Sequence, residues 1–264
     1  NAKLFYPYSW YGGTTTFFKE LGFNHVKEVL NEETVNLNDR IRVTYLSNNL
    51  DNVIVIEANG QVIVNVNDAL PSASPLMIAR FISKINQRWK KIDYVFSSYG
   101  GASYFPNTVH FSEKNDIEIG ETRELFFVNN FCKIISGLNP AFAVPFATDF
   151  VLLDDNQRWI NKIKFPREKI RDFYHNYTGG STSVKVIEAY PNDYFSDMQF
   201  QQASPYHAKK SVKPLLESID EDYTEEIRAK KNLKTLNSDE LLAIVEKTKT
   251  HILHKQYIIP ESAR

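Results

Sequence analysis

The chain holds one cysteine, Cys132, among 264 residues. A single thiol makes no intrachain disulfide and no all-cysteine zinc site. A reducing compartment, the cytoplasm, is the simplest expectation. An excess of charge of one sign is missing too. The 31 basic and 32 acidic side chains leave a formal charge of −1, so the chain as a whole carries no electrostatic footprint for nucleic acid. No apolar run approaches the roughly 20 residues that span a bilayer, and no membrane partner is expected. No basic-then-apolar leader opens the sequence. Glycine is sparse at ten residues. None of them falls in G-x-x-x-x-G-K-[ST] or in G-x-G-x-x-G, so no phosphate-cradling loop is expected. The six histidines form no H-x-H or H-E-x-x-H. His251 and His254 stand three apart, a spacing that suits metal, but in a charged stretch where a solvated face is the better expectation.

What is present is an ordinary globular composition, 42% apolar and 24% charged. Its pattern is α/β. Ile41 to Leu46 alternates with period two, as a half-buried strand does. Val53 to Glu57 and Gln61 to Val66 are β-branched runs on either side of Asn59-Gly60, a strong hairpin signal. Ser74-Pro75 starts a helix with a capping hydroxyl and a proline at the first helical position. Leu76, Ala79, Ile82, Ile85 and Trp89 are predicted to form its inner face, with Phe81 beside it. A strand follows at Asp93 to Ser97, giving the strand-helix-strand unit of parallel sheets.

A second such unit comes next. A helix is predicted over Glu121 to Leu138, with Leu125, Val128, Phe131, Ile135 and Leu138 inward. A short buried strand then runs from Ala141 to Ala147. Further helix is expected over Pro166 to Asn176 and strand over Ser183 to Tyr190. From about Lys209 charge density rises and glycine disappears. The expected organisation is an α/β domain over residues 1–208 and a charged helical subdomain or arm over 209–264, with Asn237 and Glu240 as a capping box.

In open α/β sheets ligands bind beyond the carboxyl ends of the strands. Three such ends stand out: Asn67-Asp68, Tyr99-Gly100-Gly101 and Thr148-Asp149. An aspartate at a strand end can ligate a metal or act as a general base, although Asx-turns place it there equally well. Gly100-Gly101 lets backbone approach a ligand closely or simply makes a tight turn. Cys132 falls mid-helix near the apolar face and reads as a small buried hydrophobe.

The stretch Ile56-Glu-Ala-Asn-Gly-Gln-Val-Ile-Val-Asn-Val-Asn-Asp-Ala69 resembles the metallo-β-lactamase-fold proteins. The likeness is to the metallo-β-lactamase-like part of CMP-N-acetylneuraminate hydroxylase and its bacterial relatives, and more loosely to L-ascorbate-6-phosphate lactonase. Tyr99-Gly-Gly-Ala-Ser-Tyr-Phe-Pro106, Val144-Pro-Phe-Ala-Thr-Asp149 and Pro191-Asn-Asp193 occur in the same order. The resemblance covers about residues 3–210. It implies part of a four-layer α/β-β/α sandwich with a metal site at one edge. It makes Asp68 a metal ligand and Asp51 a second, near the place of a histidine in relatives. Tyr99, Gly100, Gly101 and Asp149 would line the substrate.

The H-x-H-x-D-H signature of the family is absent from this sequence. The chain, which opens Asn1-Ala2-Lys3 without a methionine, is expected to be the C-terminal part of such a domain. Zinc, iron or manganese is expected only where upstream ligands complete the set. The resemblance implies a metallohydrolase-like activity on a small phosphate ester or lactone, sugar-derived compounds among the candidates. The alternative is a non-catalytic binding or assembly module that keeps the fold without the metal. An N-terminal segment or a second copy of the chain would cover the exposed sheet. Hydroxylase chemistry of the sialic-acid type needs a Rieske cluster on two Cys and two His, which one cysteine cannot supply.

Overall fold

The computed structural model describes residues 3–8, 13–48, 51–101, 115–148, 150–152, 154, 157–210, 221–233 and 236–254. Asp149, His110 and the stretch 102–106 lie outside the described residues, as do the side chains of His251 and His254. The chain divides by its contacts into two units, residues 1–30 with 223–264, and residues 31–222.

The first unit opens with β1 (Lys3–Pro7), α1 (Thr14–Glu20) and β2 (His25–Val29). The two strands pair in parallel, Lys3 opposite His25 through Pro7 opposite Val29. Gly13, at φ 88°, turns the chain into α1. The Tyr6 hydroxyl donates to Glu28 at 2.9 Å and tightens the pair.

The second unit is built on one seven-stranded sheet. Its strands are β3 (Thr34–Asn36), β4 (Ile41–Ser47), β5 (Asn52–Ala58), β6 (Gln61–Asn67), β7 (Tyr94–Ser97), β8 (Phe142–Pro145) and β9 (Lys185–Val186), lying side by side in that order. β3 to β6 pair antiparallel and β6 to β9 pair parallel. Asn59 at φ 50° and Gly60 at φ 77° make the β5–β6 hairpin, as their sequence signals.

Among the described residues, three helices cover one face of the sheet: α2 (Pro75–Arg88), α3 (Asp116–Leu138) and, after a 3₁₀ turn at Arg167–Lys169, α5 (Ile170–Tyr177). A short α4 (Ile160–Ile163) precedes that turn, and α6 (Tyr206–Lys210) lies further along the chain. Val55, Val64, Val95, Ala143 and Val186 stand on neighbouring strands and meet Ile78, Phe81, Phe131, Ile135, Ile170 and Tyr174 in the core. Opposite faces alternate along each strand. Tyr45, Ile54, Ile56, Ile63 and Phe96 therefore lie on the other face, where they are half-buried. The hairpin β10–β11 (Tyr194–Ser196 and Gln199–Gln201) covers part of that face. Phe195 packs edge-on against Tyr94 and Phe142 at 4.9 and 5.3 Å.

The Ser74 hydroxyl caps α2 by accepting from Met77 N, and Pro75 stands at its first position. The buried face of α2 is Ile78, Phe81 and Ile85, whereas Leu76 is 81% exposed. The true stripe is therefore rotated from the predicted one. The core sets the angle, and Leu76 in the first turn falls outside the arc that meets α3. Leu125 is likewise exposed on α3, where Glu124, Phe127, Val128, Phe131, Ile134 and Ile135 turn inward. β9 is far shorter than the predicted Ser183 to Tyr190. Ile187 N donates the last ladder bond, to Ala143 O. Beyond it the chain turns, and Tyr190 N and Asp193 bond each other.

In the first unit, the described residues also form α7 (Thr224–Lys231) and α8 (Ser238–His254). Asn237 and Glu240 exchange bonds at 2.9 Å, the capping box expected from their spacing. No helix among the described residues is long and apolar enough to cross a membrane.

Candidate functional site

The parallel pairing of β6, β7 and β8 brings their carboxyl ends to one edge of the sheet. β5 runs antiparallel to β6, so the β4–β5 turn reaches the same edge. Asp51 and Asp68 are thereby neighbours in the fold, although 17 positions apart in sequence. One side chain ties their turns together. Asn48 Oδ1 accepts from Asp51 N at 2.8 Å, and Asn48 Nδ2 donates to Ala69 O. The carboxylates of Asp51 and Asp68 themselves are exposed.

β6 ends irregularly. The register slips between Asn65 and Asn67, and Asn67 takes φ 45°. A slip of this kind bends the strand and re-aims the next residue, here Asp68. Ala147, just past β8, sits at φ 56°. An alanine in the left-handed region costs roughly 1–2 kcal/mol. Such strain collects where the surroundings hold a backbone in place, functional edges included.

Thr148 fastens the ends of β7 and β8 together. Its hydroxyl accepts from Tyr99 N at 3.1 Å and Gly100 N at 3.2 Å, and donates to Phe146 O at 3.2 Å. Ser98 N reaches Asn67 O at 3.3 Å, linking β6 to the same loop. Tyr99 and Gly100 are buried within this arrangement. A Cβ on Gly100 would lie 2.4 Å from the Thr148 methyl and 3.2 Å from a Glu124 oxygen, and one on Gly101 would lie 2.5 Å from Phe127. The glycines thus let strand ends and helix approach closely.

Directly behind Gly100 lies a buried ion pair. Lys164 Nζ is 3.1 Å from Glu124 Oε1, with side chains 6% and 10% exposed. Phe165 N donates to the other Glu124 oxygen, and the ammonium stands 4.3 Å from the Phe150 ring centroid. A buried charge needs partners of this number. The pair joins residues 40 positions apart, so no local pattern announces it.

A second polar cluster lies around Asp193. Its carboxylate accepts from Tyr190 N, Ala203 N and Ser204 N, and contacts His207 Nε2 at 2.7 Å. Burial alone would raise its pKa. The Tyr190 amide, His207, and the Ser204 and Ala203 amides outweigh that and hold it below the usual carboxylate value. By sequence alone His207 is one of six scattered histidines. The available signal is the Pro191-Asn-Asp193 turn, but nothing in it names a partner 14 residues on. Cys132 is fully buried, and burial pushes its thiol up to about 12. It is not an activated nucleophile.

Two exposed carboxylates do not make a metal site alone. Zinc, iron or manganese takes about four to six converging donors, and among the described residues no three His, Cys, Asp or Glu come together.

No protein-family model and no curated protein matches the chain. Among the solved structures that align with it are the following two. A mutant of the CmlA β-hydroxylase aligns with 71% of this chain at 17% identity and a TM-score of 0.45. A protein from Thermotoga maritima, described as a putative zinc-dependent hydrolase of the metallo-β-lactamase superfamily, aligns with 56% at 12% identity and a TM-score of 0.30. The chain spans 38% of the first protein's length and 60% of the second's.

Proposed function

We propose that this chain forms the sheet-and-helix portion of a metallohydrolase-like protein whose reactive edge lies at the carboxyl ends of β6, β7 and β8. The observation that carries the reading is the Asn48 bridge, which holds the Asp51 and Asp68 turns side by side at that edge. Asp68 and Asp51 would give carboxylate oxygens to a zinc, iron or manganese ion whose remaining ligands come from outside the described residues. The substrate class that goes with this reading is a small phosphate ester or lactone, sugar-derived compounds among the candidates. The loop of Tyr99, Gly100 and Gly101, fixed by Thr148, would form one wall, with Asp149 beyond it.

Calorimetric titration with Mn²⁺ tests the reading. Asp68→Asn should weaken binding roughly tenfold or more, the loss of one charged ligand. Leu76→Asp, elsewhere on the surface, should leave it unchanged. Equal binding by wild type and Asp68→Asn would overturn the assignment.

One observation favours a second reading, a binding or assembly module. Tyr45, Ile54, Ile56, Ile63 and Phe96 form a half-buried apolar row on the sheet face opposite the helices. Such a row suits a further layer packed against it, supplied by an N-terminal segment or a second copy. In that case Asp68→Asn leaves Mn²⁺ binding unchanged.

A further inference from the structure

One corner of the sheet face turned away from the helices holds polar groups with nothing to bond. Asn52 stands two places before Ile54 on β5, and Asn65 two places after Ile63 on β6, so alternation puts both on that face. Asn52 Oδ1 and Asn65 Oδ1 are buried and have no hydrogen-bond partner, and the same holds for Ser98 Oγ. Ser98 is 1% exposed and lies just past β7, joined to β6 through its N–H and Asn67 O at 3.3 Å. Three neighbouring strands thus bring orphaned oxygens to the edge that also carries Asp51 and Asp68. Buried oxygens left without a partner are costly and rare, and a donor is what satisfies them.

The surroundings specify the donor. Asn65 stands opposite Ile54 on one side and Phe96 on the other, with Tyr45 opposite Ile54 in turn. An aromatic ring therefore lies directly beside the Asn65 carboxamide. Asn52 is diagonal to Asn65 across the ladder, a separation of roughly 7 Å between Cβ atoms, so one small group reaches both oxygens. Both asparagines are half-buried and their terminal torsions are soft, so the oxygens can turn to meet it. No lysine, arginine or histidine occurs in residues 43–79, whereas Asp51, Glu57 and Asp68 do. Glu57 is answered by Arg42 at the far end of the strands, at 2.5 Å, which leaves the two aspartates at this end.

A primary ammonium meets each of these conditions. It has three donors and no acceptor, its charge suits an edge with two carboxylates, and it is attracted to an aromatic face. We propose that Asn52 and Asn65, with Phe96 beside them and Ser98 at the strand end, bind the ammonium group of a small organic amine. The site needs no metal at Asp68.

Titration of the isotopically labelled full chain with benzylamine, protonated at neutral pH, tests this. A chelator keeps divalent ions out, so the outcome and that of the Mn²⁺ titration are decided separately. The side-chain NH₂ signals of Asn52 and Asn65 and the backbone amide of Phe96 should shift together and saturate. Benzyl alcohol, of the same shape without the charge, should bind roughly tenfold more weakly or worse. Asn65→Leu should weaken benzylamine binding by a similar factor while melting at or above the wild-type temperature, since it removes an orphaned amide. Absence of a saturable shift at Asn52 and Asn65 overturns the proposal, as does benzyl alcohol binding as tightly as benzylamine. So does an Asn65→Leu chain that melts like wild type and binds benzylamine as tightly. If Asn65→Leu does not fold, the two probes compared on wild type decide.

Discussion

Helix α3 and helix α8 start from similar material and meet opposite fates. α3 buries ten residues, Phe127, Val128, Phe131, Ile134, Ile135 and Leu138 among them. It even takes a carboxylate inward, because Lys164 and Phe165 N satisfy Glu124. α8 carries four large apolar residues in five positions, and each is half or more exposed. Amphipathic pattern alone therefore makes a helix able to pack. Whether it is packed depends on an opposing apolar surface, and for α3 that surface is the β-branched face of the sheet.

The contrast can be broken most forcefully in α3. Phe131→Ala removes a fully buried ring and should cost about 3–5 kcal/mol, read as a fall in the urea midpoint with unchanged slope. Glu124→Leu alone should cost a comparable amount, about 3–5 kcal/mol, because Lys164 is left buried and unpaired. Adding Lys164→Met should return stability to within about 1 kcal/mol of wild type. If the double variant is as weak as the single one, the ion pair is not what the cluster rests on.

Asp193 gives a middle-sized effect with a sign. Its folded pKa lies below its unfolded one. Its contribution is thus present above the unfolded value, about 3.9, and is lost as pH falls through the folded value. Asp193→Asn should flatten the acid limb of a stability–pH curve and lower stability at neutral pH. Cys132 sharpens the same view of α3: its buried thiol should react with alkylating reagents only at the rate of local opening. On α8 the effect should be smallest. Leu242→Ala should change the melting of the 31–222 unit by no more than about 0.5 kcal/mol.

Much of this is legible because local chemistry dictates it. Asn59-Gly60 takes the positive φ values that a tight hairpin needs, and Ser74 with Pro75 starts α2 where such a pair should. The strand ends holding Asp68 and Tyr99 also lie at one edge, as alternating strands and helices require. What sequence could not show is long-range. Glu124 reaches Lys164 across 40 positions and Asp193 reaches His207 across 14. Leu76 and Leu125 are apolar yet face outward, because the core and not the residue sets the helix rotation. Asp51 and Asp68 meet through Asn48, a residue whose side chain carries no motif.

The edge itself is tested most directly by paramagnetic broadening. Mn²⁺ is added to the isotopically labelled chain and the backbone amide signals are followed. The amides of Asp51, Asn67, Asp68 and Ala69 should broaden first and together, and Asp68→Asn should abolish that pattern. Broadening that is absent there, or that begins at other acidic residues, would contradict the placing of a reactive edge at the carboxyl ends of these strands.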